Sequence, residues 1–153
     1  IVVNGYEVSN MFFSNIDFCN NSFIVDEDFV RRGLARNEDE FFKCTGAELS
    51  LFWHAPFFSC DENVIKYGNK SGYTYVNSLH KNCDSQKLSR DYKPEDLIYE
   101  YCNNLKYLDN TVIPISVGFS QGERFDPLYN YLDILICALI DNNFEIVTVS
   151  ELN

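Results

Sequence analysis

Cationic residues are scarce in this chain: 12 Lys and Arg stand against 23 Asp and Glu, a formal net charge of −11 over 153 residues. Such a surface repels phosphate backbones and anionic headgroups, which argues against nucleic-acid binding and membrane-surface binding. No apolar run approaches the ~18 residues of a membrane-spanning helix. The longest candidate, Leu132-Asp133-Ile134-Leu135-Ile136-Cys137-Ala138-Leu139-Ile140-Asp141, is too short and is interrupted by Asp near each end. No Cys-x-x-Cys pair occurs, so a zinc ribbon or a thioredoxin-type motif is not expected. Only two histidines and one tryptophan are present. The first residue is Ile1, with no charged segment and apolar core ahead of it, so no signal peptide is visible. A removed leader and a longer parent polypeptide both stay open.

What is present describes a globular chain. Hydrophobic residues make up 46% and aromatics 16%, too apolar a mixture for disorder. The length suits one domain, and a folded chain of this size buries roughly 68–70% of its unfolded surface. Six cysteines (Cys19, Cys44, Cys60, Cys83, Cys102 and Cys137) are read mostly as free thiols that pack as small hydrophobes. In an oxidising compartment they would instead allow about 15 disulfide connectivities. Cys137 is expected in the buried stripe of a helix.

Strand and helix signals alternate. Residues 7–14 read as a strand. A helix is expected from about Asp26 to Cys44, with Asp26-Glu27-Asp28 at its positive end, Phe29, Leu34, Phe41 and Phe42 as apolar positions, and a stop at Gly46. Residues 49–57 form a second strand, 62–70 a short helix and 73–78 a third strand. Lys93-Pro94-Glu95 opens a helix to about Leu108, with Pro in the first turn. Residues 111–117 give a fourth strand. From Asp126-Pro127 runs the most periodic helix, with Leu128, Leu132, Leu135, Ile136, Leu139 and Ile140 on one face. Residues 144–149 close the series as a fifth strand. The expected fold class is α/β, built of parallel β/α units, as an open sheet or part of a barrel. Function is then expected at the carboxyl ends of the strands. Those ends carry Asn10, Met11, Ser14, Asn15 and Asp17, then Trp53, His54, Ala55 and Pro56. They continue with Asn77, His80 and Asp84, and finally Ser116 and Gly118.

These residues carry a resemblance. Gly5-Tyr6-Glu7-Val8-Ser9-Asn10-Met11-Phe12-Phe13-Ser14-Asn15 resembles the Gly-His-Glu-Val-Gly-Asn-His-Thr-x-x-His motif of the polysaccharide deacetylases, the metal-dependent deacetylases of chitin, peptidoglycan and acetylxylan. Trp53-His54-Ala55-Pro56-Phe57 resembles the family's Arg-x-Pro-Tyr/Phe motif. The stretch from Asp126-Pro127-Leu128-Tyr129 to Ile146-Val147-Thr148-Val149-Ser150-Glu151-Leu152 resembles its C-terminal end. The resemblance covers nearly the whole chain. It implies part of a distorted (β/α)7 barrel, a single domain over residues 1–153 without its first strands, and a place outside the cytoplasm on cell-envelope glycans.

The departures concern chemistry. The two motif positions that hold metal-binding histidines in the family are Met11 and Asn15 here, a poor donor set for zinc. The upstream Asp-Asp motif does not occur in this chain. The Arg that orients the family's base matches His54. The general-acid His matches Ser116, whose hydroxyl cannot usefully donate a proton near neutral pH. Only Asp84 matches a family carboxylate, with Ser85 where Trp is expected.

Two functions follow. The first is a non-catalytic relative whose groove (Met11, Asn15, Trp53, His54, Pro56, Phe57 and Ser116) binds a polysaccharide or a protein partner, with no metal or other cofactor. The second is a hydrolase that removes N- or O-acetyl groups through an altered site, with His54 and Asp84 as catalytic candidates and a divalent metal such as zinc. Met11 by itself reads as core packing, His80 as a solvated loop residue, and Trp53, Phe57 and Phe58 as either core or a sugar-stacking surface.

Overall fold

The computed structural model describes residues 4–78, 93–115 and 128–152. The chain separates into two compact units, residues 1–77 and 78–153.

The first unit is organised by its helix caps. Helix α1, Glu27–Thr45, starts at Asp26, whose carboxylate accepts the Phe29 amide at 2.7 Å. It ends at Gly46, where φ is +69° and the amide donates to the Phe42 carbonyl. Helix α2, Glu62–Lys70, starts at Asp61, whose carboxylate accepts the amides of Asn63 and Val64 at 2.9 Å. These caps satisfy donors that the first turn leaves without intrahelical partners. Both helices fall where the sequence predicts them.

The strands are much shorter than expected. Strand β1, Phe52–Trp53, pairs in parallel with β2, Thr74–Tyr75, with Phe52 opposite Thr74 and Trp53 opposite Tyr75. The expected strand over residues 7–14 reduces to one parallel bridge between Asn10 and Trp53. The Asn10 amide donates to the Phe52 carbonyl, and the His54 amide donates to the Asn10 carbonyl, both at 2.9 Å. Beyond the bridge, Phe12 turns at φ +74° and drops its ring into the core, which ends the strand. No barrel closes among the described residues.

The core of this unit joins Phe12, Phe18, Val30, Leu34, Trp53, Ala55, Val64 and Tyr73. Two glycines permit its density. A Cβ on Gly33 would fall 1.9 Å from the Phe12 ring, and one on Gly68 would fall 2.5 Å from the Trp53 ring. On α1 the buried positions are Val30 and Leu34, whereas Phe42 is exposed.

The second unit holds α3, Pro94–Asn103, and α4, Leu132–Asp141, with 3-10 turns at Leu105–Tyr107 and Leu128–Tyr131. The Asp96 carboxylate accepts the Lys93 amide at 3.0 Å and fixes the first turn of α3 behind Pro94. Leu97, Ile98, Tyr101, Leu108, Leu128, Leu135 and Leu139 form its core. Two expectations fail here. Residues 111–115 and 144–148 carry strand-type sequences but pair with nothing among the described residues. On α4 only Leu135 and Leu139 are buried, while Ile136 and Ile140 are exposed. Cys137 is also exposed, because it lies about 200° round the helix from Leu135 and so on the opposite side. The remaining sequence expectations, residues 116–117, His80, Cys83, Asp84 and the Asp126-Pro127 start, lie outside the described residues. The five described cysteines are unbridged.

Candidate functional site

The first unit brings together the carboxyl ends of Asn10, β1 and β2. Asn10 is the buried anchor of this edge. Its side-chain amide donates to the Leu34 carbonyl of α1 at 2.9 Å, and its side-chain oxygen accepts from the Phe12 amide and from Asn37 Nδ2, each at 2.9 Å. A fully buried amide with its partners in place rigidifies its surroundings, whereas the same group unpaired would be costly. Asn10 therefore locks the end of the first strand to α1.

One residue beyond the bridge, Met11 and His54 occupy neighbouring register positions. Met11 is 53% exposed, so the packing role expected from sequence is not found. His54 is half-buried. Its ring packs edge-on against Phe58 with centroids 4.3 Å apart and lies tilted on Tyr75 at 5.3 Å. His54 Nδ1 lies 2.8 Å from the Ala55 carbonyl, which can only accept, so Nδ1 carries a proton.

The expected groove divides. Trp53 and Pro56 are buried in the core and present no surface to a ligand. Period-two alternation explains this: Trp53 and His54 are adjacent and point to opposite faces. Phe57 is 52% exposed, and both Phe57 and Phe58 hold φ of +57°, a left-handed conformation that is unfavourable for bulky side chains. Asn15 is exposed. Ser116 and Asp84 lie outside the described residues. Met11, Asn15, His54 and Phe57 are thus the exposed or half-exposed members.

Three contacts carried no sequence signal. Ser59 donates its hydroxyl to the Asp17 carboxylate, which also accepts the Asn20 amide at 3.0 Å and Asn20 Nδ2 at 2.8 Å. The Ser59 hydroxyl, followed by the Asn20 amide, holds the Asp17 carboxyl below its ordinary range. Behind His54, Tyr75 and Cys60 share a hydrogen bond. Burial is the main cause that raises both of their pKa values, so both stay neutral. Tyr73 donates to Glu38, and burial followed by that carboxylate raises its phenol as well. Only the 42-residue return from Asp17 to Ser59 reveals the first of these ties.

The metal implied by the resemblance does not fit the donors present. A thioether at Met11 and an amide at Asn15 replace the imidazoles it requires, and no cluster of three His, Cys, Asp or Glu residues able to hold a metal occurs among the described residues. No helix among the described residues is long and apolar enough to cross a membrane.

No family model matches the sequence, and no curated protein matches it. Solved structures do. A family 4 acetyl xylan esterase from Clostridium thermocellum, in complex with a cobalt ion, superposes with a TM-score of 0.67 at 20% identity, over 99% of this chain and 65% of that one. The peptidoglycan deacetylase PdaC from Bacillus subtilis gives 0.67 at 15% identity, with the same coverages. A CE4 family pseudoenzyme from Bacillus anthracis gives 0.61 at 16% identity, over 99% of this chain and 48% of that one. The chain therefore spans just under two thirds of the length of the esterase and the deacetylase. The resemblance read from the motifs is borne out in the fold, for these neighbours are CE4 family members and the matches cover 99% of this chain.

Proposed function

We propose that residues 1–153 form one polysaccharide-deacetylase-like domain, part of a distorted (β/α)7 barrel, that binds a cell-envelope glycan or a protein partner without catalysing deacetylation. One observation carries this reading: the sheet edge that would present two metal-binding imidazoles presents Met11 and Asn15, both exposed. Deacetylation of this type needs a metal-activated water and an acid for the leaving group. By the motif resemblance, Ser116 would stand at the acid position. Met11, Asn15, His54 and Phe57 would contact the ligand, and the location would be extracytoplasmic.

A second reading rests on His54. Its Nδ1 donates to the Ala55 carbonyl, and an altered hydrolase would use the imidazole as base or ligand, with Asp84 and a zinc-type ion. One of the neighbours is a mutant of a CE4 family pseudoenzyme with restored enzymatic activity.

Acetylated chitooligosaccharide and peptidoglycan fragments distinguish the readings when acetate release and calorimetric binding are measured together, with and without a chelator. Binding that survives chelation, weakens about tenfold in Phe57→Ala and releases no acetate supports the non-catalytic reading. Acetate release that the chelator abolishes supports the hydrolase and overturns the first proposal.

A further inference from the structure

In the first unit, Asp17 gathers two loops. Its carboxylate accepts the amide and the side-chain nitrogen of Asn20, at 3.0 and 2.8 Å, and the hydroxyl of Ser59. The residue after Cys19 and the residue before Cys60 are therefore held by one group. The flanking contacts agree. Phe18 is buried in the core against which Cys60 packs, and Cys19 lines a cavity of about 360 Å³ together with Asp61, the residue after Cys60. The two thiols also sense each other: burial is the main cause that raises the Cys60 pKa, and Cys19 is among the smaller ones. Cys19 is exposed and Cys60 half-buried, so a dissolved reagent meets Cys19 more readily. The other described cysteines have no such tie. Cys44 sits exposed in the last turn of α1, and Cys102 and Cys137 belong to the second unit.

We propose that Cys19 and Cys60 are a redox pair that closes to a disulfide by exchange with a small disulfide of the glutathione class. The Cys19 thiolate attacks one sulfur of glutathione disulfide, forms a mixed disulfide and releases one glutathione thiolate. Cys60 gives its proton to solvent, and its sulfur attacks the Cys19 sulfur and expels the second glutathione. The two cysteines lose two electrons and two protons, and one glutathione disulfide becomes two glutathione thiols. Closure ties the loop that follows Asn15 to the loop that follows Phe57, and it withdraws Cys60 from its hydrogen bond with Tyr75. A crosslink from residue 19 to residue 60 also encloses α1 and β1, which restricts the unfolded chain. The pairing is independent of what the groove binds.

The test incubates the 153-residue chain in glutathione buffer rich in the disulfide and maps non-reduced chymotryptic peptides by mass spectrometry. A linked Cys19–Cys60 peptide pair, lighter by two hydrogens, is expected. The unfolded fraction in urea should fall about a hundredfold relative to the reduced chain, and dithiothreitol should restore it. Cys60→Ser should trap Cys19 as its glutathione adduct. Ser59→Ala keeps both thiols but loosens the Asp17 tie, so it should slow closure about tenfold. Cys19 or Cys60 joined to any other cysteine, Cys83 included, overturns the proposal, as do two thiols that stay unlinked. An unchanged closure rate in Ser59→Ala, or an equal yield of the pair in concentrated urea where the fold is gone, overturns it as well.

Discussion

The two units solve the same problem with unequal success. In the first, each strand-type sequence meets a neighbour: Asn10 bridges β1, β1 pairs with β2, and the rings of Phe12, Phe18 and Trp53 are sealed beneath α1 and α2. In the second, apolar strand-type sequences at 111–115 and 144–148 pair with no strand among the described residues, and α4 leaves Ile136 and Ile140 in water. Composition does not separate them. Burial follows backbone pairing, because an apolar strand covers a core only when its own N–H and carbonyl groups are satisfied.

The contrast can be broken most directly at its sealed side. Trp53→Ala should lower stability by about 3–5 kcal/mol, read as a shifted urea midpoint by far-ultraviolet circular dichroism. If the first unit is as tightly packed as the Gly33 contact implies, Gly33→Ala overpacks it against Phe12 and costs about 1–3 kcal/mol. A change below a few tenths of a kcal/mol would mean that the ring moves aside freely. Asp26→Ala removes the α1 cap and should cost about 1 kcal/mol in the same melt.

The smallest effect expected is electrostatic. The fold lowers the Asp17 carboxyl pKa, so its stabilisation is present above its unfolded pKa of about 3.9 and is lost as pH falls through the lower folded value. Ser59→Ala should move the Asp17 titration upward, as read from carboxyl chemical shifts, and an unmoved titration would contradict the Ser59 contact.

Helices were legible because their signals are local. Asp26, Gly46, Asp61 and Pro94 each mark an end within a few residues of where it falls. Strand extent was not legible, since pairing depends on distant partners: residues 7–14 contribute one bridge because Phe12 leaves the sheet to fill the space above Gly33. At the site, the placement of Met11 and His54 beside the sheet edge followed from the motif order. The burial of Trp53 followed from alternation, a constraint that the motif resemblance hides. The Asp17–Ser59 and Tyr75–Cys60 contacts join loops and strands remote in sequence, where spacing carries no information.

The chain's one indole is enclosed by the first unit, with its N–H unbonded and its ring against Gly68 and Tyr75. Tryptophan emission therefore reports on that half alone. A fluorescence-monitored melt would follow residues 1–77 and stay silent if residues 78–153 came apart first, so a single smooth curve by this probe is no proof of cooperative unfolding.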